Sequence, residues 1–150
     1  MITYRLANIQ DVKILVEQRL QFLEVNTNQN NFFEIFSNTK ECIEHMMQGK
    51  HMDAVLALDG DKVIGVGMIY FFEGLPTLYN MKGFTGKVEN LYVQMKYRSN
   101  GIGRKILEML IESAKKRGVE AIFVNSSDAG QNLLLETGFI GIHNMMICQL

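Results

Sequence analysis

The order of apolar and polar positions predicts a chain in which strands alternate with amphipathic helices. Residues 2–6 alternate between apolar and polar side chains, which is typical of a strand. Asn8 then caps a helix whose apolar stripe recurs in steps of three and four over residues 12–23. A second amphipathic stretch runs over residues 36–49, and we expect irregular helical order around residues 32–37.

A β-hairpin is predicted next. Residues 54–58 and 63–72 are rich in strand-forming side chains and flank an Asp-Gly-Asp turn at residues 59–61. An Asp-Gly pair supplies the positive φ angles that a tight hairpin turn requires. We expect a longer loop over residues 73–86, followed by a strand over residues 87–93.

The last third of the chain predicts two more helices and two more strands. A helix covers about residues 102–117 and ends at Gly118. A strand over residues 121–124 and a short helix at about residues 130–136 follow, and the apolar residues 139–150 are expected to form a final strand. The whole order predicts an α/β fold with a mixed sheet.

Composition indicates one globular domain over residues 1–150. The chain is 47% hydrophobic and 21% charged, and it contains no repeat or linker. Its formal net charge of -1 argues against nucleic acid as the main partner. The longest apolar run has 8 residues, at 65–72, too few to cross a membrane. Because residues 1–11 lack a secretory pattern, we expect a cytoplasmic protein with reduced thiols.

Neither cysteine nor histidine spacing predicts a metal site. Cys42 and Cys148 lie far apart and outside any CxxC motif, and we expect both to be small buried hydrophobic residues. The three histidines, His45, His51 and His143, do not have the spacing of metal ligands.

Candidate chemistry is concentrated where a strand runs into a Gly-x-Gly turn and then into a helix. Backbone amides in the first turn of a helix have no intrahelical partner, and the helix dipole favours anions there. Gly101 and Gly103 allow a ligand to approach the backbone closely. Residues 90–107 carry four basic side chains and no acidic one: Lys96, Arg98, Arg104 and Lys105. This segment therefore predicts a site for a small polyanion.

Two common phosphate-binding motifs do not fit this turn. A Walker loop requires Lys and Ser or Thr after its last glycine, whereas Gly103 is followed by Arg104 and Lys105. A dinucleotide-binding motif requires a third small residue at the position of Ile106.

The sequence RSNGIG at residues 98–103 resembles the acyl-CoA pyrophosphate loop, Arg/Gln-x-x-Gly-x-Gly/Ala, of the GNAT superfamily of N-acetyltransferases. It follows a strand ending LYV and precedes a long helix. The opening ITYRLANIQDV and the later AIFVNSSDAGQNLLLETGF resemble the corresponding parts of the family. The resemblance implies a single GNAT-like domain, with a mixed, largely antiparallel sheet flanked by helices and splayed central strands that bind acyl-CoA.

The resemblance also implies which residues contact the cofactor. Main-chain amides in the glycine loop would hold the pyrophosphate, and the preceding strand would pair with pantetheine. Ser127 matches a position that often reaches pantetheine, and it is equally suited to cap a helix. The implied acyl-CoA contacts are Leu91, Tyr92, Val93, Arg98, Ser99, Asn100, Gly101, Ile102, Gly103, Arg104 and Ser127.

Direct transfer of an acetyl group from acetyl-CoA to an amine, within a ternary complex, is the reaction that the resemblance implies. The amine must be neutral when it attacks, so a general base is expected near the start of the strand. Glu89 is the candidate, because it alternates with Leu91 and Val93 on one face. The alternative is that Glu89 only pairs with Lys87 or caps the sheet edge.

The residue that protonates the departing thiolate in many family members is missing. That residue is a tyrosine four positions before a Gly-Phe pair, and Leu134 takes its place here. Tyr92 and Tyr97 are candidate donors, with packing as the alternative role for each. The chain is therefore expected to be an N-acetyltransferase, or else a non-catalytic acyl-CoA-binding or sensing module. A structural protein with an incidental Gly-x-Gly turn is the third alternative.

The amine acceptor itself is not identified by sequence. The resemblance places its site in residues 23–36 and 72–84, where Glu24, Glu34 and Glu73 lie among aromatic residues. Carboxylates among aromatic rings suit a cationic amine. A hydrophobic core and a homodimer surface explain the same aromatic residues equally well.

Overall fold

A computed structural model describes residues 1–142 and 145–150. Two short 3₁₀ turns, at Ile9–Asp11 and Met95–Tyr97, join the longer elements. In chain order the strands and helices are β1 (Ile2–Leu6), α1 (Val12–Phe22), α2 (Phe32–Gln48), β2 (Met52–Asp59), β3 (Lys62–Glu73), β4 (Phe84–Val93), α3 (Ile102–Lys116), β5 (Ala121–Val124) and α4 (Gln131–Glu136).

The five strands form one mixed sheet in the order β1-β2-β3-β4-β5. The first three pairs are antiparallel, and only β4 and β5 are parallel. Helices α1 and α2 pack on one face through a cluster around Leu15, Val16 and Leu56, whereas α3 covers the other face through a cluster around Ile69, Ile106 and Leu110. The predicted α/β domain with a largely antiparallel sheet is confirmed.

Two glycines of β3 allow α3 to lie close to the sheet. A Cβ atom at Gly67 would be 2.4 Å from Ile106 Cγ2 and 2.8 Å from Leu110 Cδ1. A Cβ atom at Gly65 would be 3.0 Å from Ile106 Cδ1. Since α3 begins within the Gly-x-Gly turn, at Ile102, this close packing also fixes the position of that turn.

The loop before β4 is shorter than predicted. Strand β4 begins at Phe84 instead of residue 87, because the ladder with β3 continues through Phe72↔Thr85 and Glu73↔Phe84. The remaining connection, residues 74–83, is closed by an isolated bridge between Thr77 and Asn80. The Asn80 side-chain amide joins this connection to β4 by donating to Thr85 Oγ1 at 2.9 Å.

Helix α2 is also more regular than predicted. Residues 32–37, where irregular order was expected, form the first turns of an uninterrupted α-helix. Phe32, Ile35 and Phe36 pack against the α1 side of the core. Their spacing of three and four residues is helical, and the apolar contact compensates for an N-terminus at Asn31 that has no side-chain cap.

The final strand predicted for residues 139–150 is wrong for the part of that segment that the structure describes. Residues 139–142 and 145–150 form no strand. Ile140, Met146 and Ile147 are 83%, 95% and 89% exposed, so these apolar side chains have no sheet face against which to pack. Residues 143 and 144 lie outside the described residues. Strand β5 is consequently an edge of the described sheet.

None of the helices that the structure describes has the length and apolar character needed to span a membrane.

Candidate functional site

The Gly-x-Gly turn presents a row of free main-chain donors. Gly101 is the N-cap of α3, with a left-handed φ of 76°, and Ser99 also has a positive φ of 64°. Among the described residues, no acceptor is found for the backbone amides of residues 99–104, and the first helical bond of α3 runs from the Lys105 amide to the Gly101 carbonyl. Successive free amides in such a turn form a concave site for anions.

Hydrogen bonds from the side chains of Arg98 and Asn100 stabilise this turn. Arg98 Nε donates to the Val93 carbonyl at 2.8 Å, and its guanidinium lies 5.6 Å from the centre of the Tyr92 ring. The Asn100 side-chain amide donates to the carbonyls of Tyr97 and Arg98, both at 3.1 Å. These bonds hold the turn in its anion-binding shape, so little ordering is needed when a ligand binds.

The charge around the turn is lower than sequence indicated. Arg104 forms a salt bridge with Glu136 of α4, a residue that lies 32 positions further along the chain. One acidic group therefore joins the four basic ones, and the free main-chain amides contribute more to anion binding than side-chain counting predicted.

The sheet opens between β4 and β5 beside this turn. Their parallel pairing ends at Val88↔Val124, and residues 89–93 continue beyond it with only β3 as a neighbour. The main chain of Leu91, Tyr92 and Val93 is thus unpaired on its β5 side among the described residues. An extended ligand with amide groups fits this edge, with its anionic end in the turn.

The model of the acetyltransferase (GNAT) family matches residues 17–139, which is more than half of the chain. The chain belongs to this family. The resemblance carried by the RSNGIG loop is thereby confirmed, and at the level of the family the activity is acyl transfer from acetyl-CoA. The free amides and the open strand edge described above fit an acyl-CoA.

Solved structures agree on the GNAT fold. A predicted acetyltransferase with acetyl-CoA from Clostridium acetobutylicum has a TM-score of 0.88 and 23% identity, over 99% of this chain and 96% of that one. A GCN5-related N-acetyltransferase from Ralstonia eutropha has a TM-score of 0.85 and 16% identity, with 99% of both chains covered. Glucosamine-6-phosphate N-acetyltransferase from Arabidopsis thaliana has a TM-score of 0.73 and 18% identity, over 99% and 98%. A search of curated proteins found no match.

In this GNAT domain Glu89 sits on a β-bulge. The register shifts between Met68↔Asn90 and Ile69↔Val88, so Glu89 is the extra residue of β4. A bulge breaks the alternation of side chains. Leu91 and Val93 pack on the α3 side, whereas Glu89 contacts Arg19 on the α1 side. The predicted common face of Glu89, Leu91 and Val93 is therefore wrong.

Two cations surround the Glu89 carboxylate. Lys87 Nζ lies 2.7 Å from its Oε1, and Arg19 Nη2 lies 3.7 Å from its Oε2. The hydrogen bond from Lys87 to Glu89 raises the pKa of Lys87, outweighing the effect of burial. The pairing with Lys87 that sequence left as an alternative is thus formed. Glu89 also lines a cavity.

That cavity has a volume of about 510 Å³ and lies between α2 and the α1 face of the sheet. This size is typical of pockets for small molecules. Neither Glu24, Glu34 nor Glu73 lines it. Its lining residues are Arg19, Asn38, Thr39, Cys42, Ile43, Met46, Met52, Met68, Ile69, Tyr70 and Glu89. The cavity thus borders the later part of α2, outside both segments predicted for the acceptor.

Asn90, the residue after Glu89, contributes to the placement of the Arg19 side chain. The Asn90 side chain is fully buried, and its Oδ1 lies 3.5 Å from Arg19 Nη1, which also donates to the Glu89 carbonyl at 2.8 Å. The Asn90 Nδ2 donor has no partner among the described residues. A buried unpaired donor costs about 1–3 kcal/mol, which is typical of a site shaped for function and not for stability alone.

The remaining candidates occupy mixed positions. Tyr92 is half-buried against the α1 side with its ring under Arg98, whereas the Tyr97 hydroxyl donates to Asp59 at 2.9 Å. Leu134 is buried. Ser127 Oγ accepts from the Gly130 amide at 3.2 Å and closes a local turn. The N-cap of α4 is Gly130, so the helix-cap role that sequence offered for Ser127 is wrong.

Both cysteines are exposed, so the expectation that they are buried is wrong. Cys42 lines the cavity, as does the buried Ile43 next to it. Within residues 1–142 and 145–150, no three His, Cys, Asp or Glu side chains are placed to hold a metal ion.

Proposed function

We propose that the protein transfers an acetyl group from acetyl-CoA to a primary amine of a small molecule or peptide, by direct attack in a ternary complex. One juxtaposition carries the proposal. Glu89 is the first residue of β4 beyond the last pair with β5, and it also lines the cavity. The proposed cofactor edge and the proposed acceptor pocket thus share a single residue.

The cofactor is held mainly by main chain. The amides of residues 99–104 bind the pyrophosphate, and Leu91, Tyr92 and Val93 pair with pantetheine along the open edge of β4. An amide of this edge donates to the thioester oxygen. One such donor is worth about 3–4 kcal/mol in stabilising the tetrahedral oxyanion. Ser127, between β5 and α4, is an additional contact with the cofactor.

The acceptor amine attacks the carbonyl carbon, the new C–N bond forms, and the C–S bond breaks. Glu89 accepts the proton that the nitrogen loses, directly or through a water molecule. The CoA thiolate then takes a proton from solvent, because Leu134 supplies none. Tyr92, which belongs to the open edge of β4, is the weaker alternative donor.

Two measurements test this function. Isothermal titration is expected to show acetyl-CoA binding to the purified protein, and release of CoA thiol is expected with at least one amine of a broad panel. Binding without turnover on any amine would instead favour a non-catalytic acyl-CoA sensor. Absence of acetyl-CoA binding would contradict both functions.

We further propose a homodimer and a cytoplasmic location. The two exposed cysteines suit a reducing compartment. The exposed apolar side chains of Ile140 and Ile147 and the open edge of β5 favour association with a second copy. Light scattering is expected to give twice the monomer mass.

The double variant Ile140→Asp with Ile147→Asp tests this surface. It is expected to be monomeric, because two buried charges would oppose the interface. Leu78→Asp, at an exposed loop residue, is the control and should remain dimeric. A monomeric wild-type protein would contradict the proposed dimer.

A further inference from the structure

The one carboxylate that lines the cavity, that of Glu89, is paired with two cations. Arg19 also lines the cavity, and Lys87 contacts Glu89 from outside the lining. A simple cationic amine placed here would meet two positive groups for one negative group. Charge complementarity therefore favours an acceptor that brings an anionic group together with its amine.

Arg19 has donors available for such an anion. Its Nη1 is occupied by the Glu89 carbonyl at 2.8 Å. Within the described part of the chain, neither Nε nor Nη2 donates a hydrogen bond, and the 3.7 Å separation of Nη2 from Glu89 Oε2 is too long for one. A guanidinium binds carboxylates well, because its donors form a planar fork.

The rest of the cavity is largely apolar. Methionines from α2, β2 and β3 line it together with two isoleucines, and its remaining polar residues are neutral. A polycation with several ammonium groups would find no second carboxylate in this lining. An aliphatic or aromatic side chain, by contrast, would exchange water for contact with flexible thioethers.

We propose, on the basis of the proposed acetyltransferase function, that the acceptor is an α-amino acid with an apolar side chain. Its ammonium group lies at Glu89, its carboxylate lies at the free donors of Arg19, and its side chain packs among Met46, Met52 and Met68. The two charges of an α-amino acid are separated by a single carbon. They match the neighbouring charges of Arg19 and Glu89, which are themselves 3.7 Å apart.

The test compares free L-leucine, L-methionine and L-phenylalanine with their carboxamides and with the decarboxylated amines. Binding is measured by titration in the presence of CoA, and turnover is measured by thiol release. Each free amino acid is expected to bind roughly tenfold to a hundredfold more tightly than its carboxamide, as for a charge-assisted pair.

Arg19→Gln is expected to remove this preference by raising KM for the free amino acids, so that they bind no more tightly than their carboxamides. Lys13→Gln removes a charge from an exposed position of the same helix and is the matched control, with the preference retained. If Arg19→Gln does not fold, Arg19→Lys is used in its place. Lysine keeps the positive charge but lacks the planar guanidinium donors, so this variant is expected to reduce the preference for free amino acids over carboxamides.

Equal or tighter binding of the carboxamides or decarboxylated amines by the wild-type protein would overturn the inference. This outcome is separable from failure of the proposed function. Amino acids that bind selectively without any turnover contradict catalysis alone, whereas turnover of amines without a carboxylate preference contradicts only the acceptor class.

Discussion

Replacement of Gly103 by aspartate is expected to leave the protein folded and to weaken acetyl-CoA binding at least ~100-fold, because like-charge juxtaposition costs several kcal/mol. Gly103 is the second residue of α3, and its amide is one of the free donors of the turn. A carboxylate there would compete for these amides and repel the pyrophosphate. The loss is expected in the dissociation constant measured by titration.

The same substitution is expected to be neutral or slightly favourable for the fold. Gly103 does not have a positive φ, so an L side chain fits its backbone. A Cβ atom would lie 3.4 Å from Leu133 Cδ2 and 3.7 Å from Val93 Cγ2, which are ordinary contacts. An acidic residue in the first turn also complements the helix dipole by about 0.3–1 kcal/mol. The melting temperature should therefore not fall.

Lys115→Gln is the matched control for charge. It changes the net charge by the same single unit, at an exposed position in the last turn of the same helix. Its acetyl-CoA affinity should equal that of the wild-type protein. Undiminished affinity of Gly103→Asp would show that the pyrophosphate binds elsewhere.

The glycine turn could be predicted from sequence because its properties are local. Free amides follow from the start of a helix, and close approach of a ligand to the backbone follows from the absence of side chains at Gly101 and Gly103. The order of strands and helices was predicted on the same basis. It was wrong for residues 139–142 and 145–150, where a strand was inferred from apolar composition. Composition does not specify which surface covers a segment.

The acceptor side could not be predicted, because its geometry depends on contacts distant in sequence. Arg19 and Glu89 lie 70 positions apart, and the bulge at Glu89 is a property of two strands together. Two local signals were present. Arg19 falls within the apolar stripe of α1, and a charged residue there indicates a partner on the sheet. Glu89 and Asn90 are adjacent polar residues in an apolar strand, and such a pair indicates a bulge.

Replacement of Glu89 by glutamine is expected to lower kcat about 10²- to 10⁴-fold at neutral pH, the range typical of a general base. Glutamine preserves the size of the side chain but accepts no proton. The loss should diminish as pH rises, because more of the amine is then neutral without assistance. Rates of thiol release measured across the pH range, with the preferred amine, provide the test.

Lys87→Met separates the role of the ion pair from that of the Glu89 carboxylate. The hydrogen bond to Glu89 is the principal cause of the raised pKa of Lys87. Removal of the Lys87 cation leaves Arg19, at 3.7 Å, as the remaining positive neighbour of the Glu89 carboxylate. Because the carboxylate itself is retained, the rate of thiol release by Lys87→Met at neutral pH is expected to stay well above that of Glu89→Gln.

Glu73→Gln is the control, since this carboxylate is exposed at the end of β3 and does not border the cavity. Its pH–rate profile should match that of the wild-type protein. If Glu89→Gln lowered the rate equally at every pH, Glu89 would be a positioning residue. The proton would then pass from the amine to solvent, and the cavity would contribute to catalysis by orienting the acceptor alone.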